Sequence, residues 1–206
     1  MALGAAVGLV GTSFGLFAVT SGLSTAQACA LSLLTFTGAS QFALVSAVAA
    51  GGTPIAAVGS ALLLGARNGV YGLAMSRVIT GSLPRRLVAA QLVLDESTAL
   101  AMAQPERSDQ QRAFWAAGLS VFVCWNLGTV VGALGGSQIG SPDAWGLDAA
   151  FPAGFVALLA PHVRKVGGWA SALFGAAIAL VLIPLAPPGL PILAATLATL
   201  MGLRSI

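Results

Sequence analysis

Charge is what this sequence lacks. From Met1 to Ala66 it carries no Asp, Glu, Lys, Arg or His. About a quarter of the residues in an ordinary soluble domain are charged; here the share is 7%, against 57% hydrophobic. A surface so poor in charge excludes a water-exposed globular domain and calls for a bilayer as solvent. Cysteine is scarce as well. Cys29 and Cys124 both fall in apolar stretches, which excludes a disulfide framework or a cysteine metal site and leaves two small buried side chains. No nucleophile elbow, Walker loop, nucleotide fingerprint or metal-ligand spacing occurs. The expectation is a protein that is not an enzyme and needs no metal and no cofactor.

Three more charge-free stretches follow: Ala113–Pro142, Ala149–Pro161 and Val166–Leu203. A membrane helix needs about 20 apolar residues, and these runs hold several. A β-barrel would alternate apolar and polar residues along short segments; the continuous runs and the 26 glycines favour helices. The stretch Thr25-Ala26-Gln27-Ala28 imitates a leader-peptide cleavage site, but no basic region precedes it and the apolar run is too long. The expected fold is an all-α polytopic helical membrane protein. It forms a single domain over residues 1–206, with about seven transmembrane helices plus one broken or re-entrant segment.

The first span is expected over Ala2–Thr20. Ser24 and Gln27 then have capping-box spacing for a second, Ala26–Ala50. Thr53-Pro54 starts a third, running to about Met75, because Pro is best tolerated at the first helical position. Leu87–Ala103 is apolar but interrupted by Asp95-Glu96, and Gln104–Gln111 is a polar loop. Further spans are expected at Ala113–Leu134, Ala149–Val163, Trp169–Ala186 and Gly189–Leu203, the last two joined by Pro187-Pro188. Positive charge marks the cytoplasmic side, which places Arg77, Arg85, Arg86, Arg107, Arg112, Arg164, Lys165 and Arg204 inside and the Asp143–Asp148 loop outside. One parity conflict arises: Arg86 and Arg107 cannot both lie inside if Leu87–Ala103 crosses once. That segment enters and returns, lies at the interface, or is a broken helix with its acids at the surface. The net charge of +3 comes from loop arginines and gives no reason to expect nucleic-acid binding.

Two glycine stripes stand out: Gly4, Gly8, Gly11 and Gly15, and Gly128, Gly132, Gly136 and Gly140. Small residues at this spacing let helices approach closely, either within the chain or in a homo-oligomer. His162, beside Arg164, reads as an interfacial residue, and Trp115, Trp145 and Trp169 as interface anchors near span ends.

Arg67 is the first charge of the chain and lies about ten residues inside the third span. An Arg at a helix centre costs roughly 2.5–3.5 kcal/mol on insertion scales and calls for a partner. Asp95 and Glu96 are the only acids before Pro105. Two readings stay open: a substrate or ion site in which the guanidinium faces a carboxylate, or a structural ion pair between helices. Gly38, Ser40, Gln41 and Phe42 form a second cluster. Small residues surround an amide, and a kinked or unwound helix here would offer backbone groups to a zwitterion. Packing through small residues is the plainer alternative. Asn126, beside Trp125, is similarly either a packing residue or pore-lining.

Two stretches go beyond composition. One is Gly22-Leu23-Ser24 followed by Ser32-Leu33-Leu34-Thr35-Phe36-Thr37-Gly38-Ala39-Ser40-Gln41-Phe42; the other is Leu62-Leu63-Leu64-Gly65-Ala66-Arg67-Asn68-Gly69-Val70-Tyr71-Gly72-Leu73. With Leu94-Asp95-Glu96-Ser97, they resemble the AzlC family, the large subunits of two-component branched-chain amino-acid exporters of the YgaZ and BrnF type. Where the family pattern has an Asn two residues before the Arg and a His after it, this chain has Gly65 and Asn68. The resemblance implies efflux of branched-chain amino acids, with methionine as a further candidate substrate, through the bacterial cytoplasmic membrane. It also implies a small hydrophobic AzlD-type partner subunit. On that basis Arg67 is assigned to the substrate carboxylate and Asp95 to its amine. Phe36, Phe42, Leu44 and Tyr71 are expected to form an apolar pocket, and Asp95 or Glu96 is a candidate for proton coupling. The rival expectation is a structural or assembly subunit held together by an Arg67–Asp95 pair.

Overall fold

The computed structural model describes residues 2–138, 168–186 and 190–198, together with Val156, Leu159, Ala160 and Val163. Asp143, Trp145, Asp148, His162, Arg164, Lys165, Pro187, Pro188 and Arg204, to which the sequence assigns topological roles, lie outside the described residues, as does Gly140. Every regular element among the described residues is helical. We number them α1 (Ala2–Thr20), α2 (Thr25–Leu34), α3 (Ala39–Ala49), α4 (Pro54–Met75), α5 (Leu83–Gln91), α6 (Asp95–Met102), α7 (Arg107–Gln138), α8 (Gly168–Leu182) and α9 (Leu190–Ala195), the last continued by a 3-10 turn over Thr196–Ala198.

The local signals act as physical chemistry requires. Ser24 Oγ accepts from the Gln27 amide at 3.2 Å while Gln27 Oε1 accepts from the Ser24 amide at 2.8 Å, so two orphan donors at the start of α2 are satisfied reciprocally. Helix α4 begins at Pro54, with Thr53 Oγ1 accepting from the Ala56 amide at 3.3 Å.

One expectation needs correction, and a second is not confirmed. The anticipated span Ala26–Ala50 is two helices, α2 and α3, separated at Thr35–Gly38, where Gly38 takes a left-handed φ of +66°. An L side chain resists that conformation and Gly does not, so the break falls on the glycine. The count of about seven crossings is not reproduced. Among the described residues, two helices are long and apolar enough to cross a membrane: α1 over Leu3–Thr20, and α7. Helix α4 has 22 residues but carries Arg67 and Asn68 in its middle, and α8 has only 15. Ala149–Val163 lies largely outside the described residues.

The chain divides into two compact units, one of Met1–Phe42 and Leu64–Ile139, the other of Ala43–Leu63 and Gly140–Ile206. In the first, α7 is the spine, with α1, α2 and α6 packed on it. The glycine stripes explain the closest of these contacts. A Cβ added at Gly11 would sit 2.6 Å from the Trp125 carbonyl oxygen, and one at Gly8 3.2 Å from that of Cys124. Added at Gly15, Gly128 or Gly132, it would drive into backbone carbonyls of Thr129, Gly8 and Thr12. The two stripes therefore pack against each other within the chain, backbone on backbone. In the second unit α8 packs on α9 and the 3-10 turn, with Gly175 against Ala195 and Ala198. Helix α8 buries none of its residues and exposes Trp169, Leu173, Phe174, Leu180 and Val181, an apolar surface that suits lipid.

The segment between α4 and α7 returns to the end it left. The Arg107 guanidinium donates to the Arg77 carbonyl, and Gln111 Nε2 donates to the Val78 carbonyl at 2.8 Å. The start of α7 thus meets the end of α4. Between them α5 has 9 residues and α6 has 8, about 12–14 Å each at 1.5 Å per residue. This is far short of a crossing, but enough to go in and come back.

Candidate functional site

The site is built where two helix breaks meet one arginine. Arg67 projects from the middle of α4. Its Nη1 donates to Asp95 Oδ2 at 2.9 Å, and its Nη2 makes a long contact of 3.5 Å to the Thr37 carbonyl oxygen. Thr37 lies in the α2–α3 break, and Asp95 opens α6 just after the α5–α6 break. One guanidinium therefore ties both interruptions to α4. Ten residues separate Arg67 from Arg77, about 15 Å along a helix, which is half the hydrocarbon thickness of a bilayer.

The charges are compensated but not sealed. The two side chains remain 37% and 36% exposed. Asp95 occupies the first turn of α6, where the positive end of the helix dipole favours a carboxylate. Arg67 Nε is buried without a hydrogen-bond partner, and so are Asn68 Oδ1 and, on α6, Thr98 Oγ1. Trp125 Nε1, on α7, is unpaired in the same way; of these atoms only Arg67 Nε belongs to the ion pair itself. Tyr71 follows Arg67 by one turn on the same side of α4, half-buried. Glu96 is half-buried next to Asp95; among the described residues the ion pairs are Arg67–Asp95 and Arg112–Asp109, and Glu96 is in neither.

Each break is held open by side chains. Gln41, 1% exposed, accepts from the Gly38 amide at 3.0 Å and donates to the Leu31 carbonyl at 3.1 Å. It bridges the end of α2 to the start of α3 with both ends of its amide. Ser40 is buried and pairs with the Thr37 hydroxyl. At the other break, Ser97 Oγ accepts from the Leu94 amide at 3.0 Å and donates to the Leu92 carbonyl at 2.6 Å. Gln91 Nε2 reaches across to the Leu33 carbonyl at 2.7 Å, tying the end of α5 to the end of α2. Irregular backbone at membrane depth is tolerated only when its polar groups are satisfied by protein or water, and these side chains do that here.

Other residues singled out from the sequence have different surroundings. Phe42 is buried in an aromatic cluster with Phe14, Phe17 and Trp125, its ring centroid 5.3 Å from that of Phe14. Phe36 packs edge-on against Phe122 at 4.9 Å. Both are core residues that fix the break, rather than walls of an open pocket. Leu44 falls in the second unit. Asn126 belongs to a polar seam between α2 and α7: Ser32 Oγ donates to its Oδ1 at 2.8 Å and lies 3.1 Å from Thr129 Oγ1. Asn126 also lines an apolar groove with Cys29, Leu33, Leu127 and Val130. The sequence reading missed Ser32, Gln91, Ser97, Thr98 and Thr129. Ser32, Gln91 and Thr129 are polar within apolar runs and Ser97 and Thr98 directly follow Asp95-Glu96, but only the pairing of helices shows which polar residues meet.

Two helix breaks tied to one arginine–aspartate pair, in a chain with two helices long and apolar enough to cross a membrane, fit a helical membrane protein; discontinuous helices are a feature that transporters share. The chain belongs to the AzlC family: the family model described as AzlC protein matches residues 2–139, which takes in α1 through α7 and every residue of the site. That family is associated with membrane transport. Two relatives, from two strains of Helicobacter pylori, are each named as an uncharacterized membrane protein; each is 28% identical over 179 residues, covering 86% of this chain and 78% of the relative. No solved structure matches the chain.

Proposed function

We propose that this chain is the transport-pathway subunit of a secondary transporter that exports branched-chain amino acids, with methionine as a second substrate, across the bacterial cytoplasmic membrane. The Arg67–Asp95 pair, held between two helix breaks and still partly exposed, is the observation that carries the reading. A zwitterion presents a carboxylate and an amine a few ångströms apart. An arginine and an aspartate 2.9 Å apart offer the complementary pair, and a substrate inserting between them exchanges one ion pair for two. Asn68 Oδ1 and the Thr37 carbonyl supply further acceptors for the amine, while Tyr71 stands on the same side of α4. An AzlD-type small subunit is the proposed partner. Helix α4 exposes Ile55, Leu62, Val70 and Leu73 at 65–85%, an apolar face that suits a second membrane chain.

The test is labelled leucine flux in vesicles holding the chain with and without that small subunit. Saturable flux that needs both chains supports the proposal. A well-folded complex without flux refutes the substrate assignment.

The direct 2.9 Å contact also favours a second reading, a structural subunit in which Arg67 and Asp95 act as helix glue. Exchanging the two charges, Arg67→Asp with Asp95→Arg, separates them. A glue pair survives the exchange, whereas an oriented site loses flux while the protein stays folded.

A further inference from the structure

Five of the nine cationic side chains of the sequence, Arg77, Arg85, Arg86, Arg107 and Arg112, gather at one end of the first unit. The fold brings them there from three helices. Arg107, at the start of α7, donates to the carbonyl of Arg77, just past α4. Arg85, in the first turn of α5, lies over the Trp115 ring of α7, its guanidinium carbon 5.7 Å from the ring centroid. Arg112 precedes Trp115 by one turn, and Arg86 adjoins Arg85. All five are exposed. The acids at this end are Glu106 and Asp109, and Asp109 is engaged with Arg112 at 3.5 Å. The end therefore carries an excess of positive charge that the described residues do not neutralise.

The surface beside these arginines is apolar. Leu83, Leu87 and Val88 of α5 are 67%, 62% and 53% exposed. Because α5 runs from this end towards the depth of Asp95, Leu87 and Val88 lie on the hydrocarbon side of Arg85 and Arg86. Exposed guanidinium groups next to exposed aliphatic side chains of the same helix, with a tryptophan ring against Arg85, match a phospholipid: a phosphate for the arginines and an acyl chain for the aliphatic residues. Free phosphate would need the charge but leave the apolar strip unexplained. Arginine, and no lysine, supplies the charge here, as suits bidentate contact with phosphate oxygens.

We propose that this end of the first unit is a binding site for anionic phospholipid, with the headgroup phosphate held by Arg85, Arg86 and Arg107 and an acyl chain lying along Leu87 and Val88. Occupancy would brace α5 from outside, and with it the break that presents Asp95.

The experiment uses the full chain reconstituted in vesicles of equimolar phosphatidylglycerol and phosphatidylcholine, extracted gently, with retained lipid identified by native mass spectrometry. The wild-type chain is expected to retain phosphatidylglycerol preferentially. The double variant Arg85→Gln/Arg86→Gln should lower that preference by about tenfold or more, given the attraction of each arginine near an anionic surface. Arg86→Gln alone leaves the Arg85–Trp115 contact in place and so guards against misfolding; it must lower the preference as well. Equal retention of the two lipids by the wild type, or unchanged preference in both variants, overturns the proposal and leaves the arginines to an acidic protein segment instead.

Discussion

At the scale of single residues, Arg67 and Gln41 do opposite kinds of work. Arg67 is partly exposed and incompletely satisfied, while Gln41 is sealed and has both ends of its amide engaged. Their substitutions should separate accordingly. Arg67→Ala is expected to abolish leucine flux while the protein still inserts and elutes as a folded species. Arg67→Lys should restore little, because an ammonium cannot contact Asp95 and the Thr37 carbonyl with the same fork. Normal flux through Arg67→Ala removes that residue from the site. Gln41→Leu leaves the Gly38 amide of the break without its partner, while the Leu31 carbonyl keeps the Thr35 amide and hydroxyl. An unsatisfied buried group costs about 1–3 kcal/mol, so thermal unfolding in detergent should show a clear drop in midpoint. No drop means that water replaces the side chain. The Arg67–Asp95 contact was legible in the sequence because an arginine in an apolar helix demands an acid, and Asp95 and Glu96 are the only acids before Pro105. The position of Gln41 within its cluster was legible too, but its bridging role was not, since that depends on where the helix breaks.

At the scale of elements, packing is decided by glycine. Helices α1 and α7 meet backbone to backbone, so glycines on the contact and off it should respond differently. Gly132→Leu places a side chain into the Thr12 carbonyl. The expected loss lies at or above the upper end of the roughly 1–3 kcal/mol of overpacked cores, seen as loss of the monodisperse peak in size-exclusion chromatography. Gly135→Ala, with nothing within 4 Å of the added Cβ, should leave the peak unchanged. Equal behaviour of the two variants shows that the stripe does not hold the helices. Both stripes could be read from spacing, as could the bounds of α1 and α4, because glycine periodicity, charge-free length and the Thr53-Pro54 start are local signals. The break within Ala26–Ala50 was harder to place. The cluster of small and polar residues at Gly38–Phe42 pointed to a kink or unwinding, but only the left-handed φ at Gly38 shows that the helix stops and where.

At the scale of the whole molecule, the least legible feature was the path from Leu83 to Met102. Charge counting alone left it open whether this stretch crosses once or returns. Long-range contacts, Arg107 to the Arg77 carbonyl and Gln111 to the Val78 carbonyl, which no local pattern encodes, favour a return. They put both ends of the stretch on one side and Asp95 at the depth of Arg67. The consequence is topological and can be measured directly. With Cys29 and Cys124 replaced by Ala, single cysteines introduced as Ser82→Cys and Ser108→Cys, both at exposed positions, should react with a membrane-impermeant maleimide from the same face of sealed vesicles. If α5 and α6 together crossed the membrane, the two cysteines would label from opposite faces. Asp95 would then lie on a spanning element instead of at the inner end of a hairpin. Same-side labelling matters for mechanism, because an acid carried on a returning hairpin can shift towards or away from Arg67 without moving a spanning helix. That is the freedom a pathway needs if substrate is to enter between the two charges and leave on the other side.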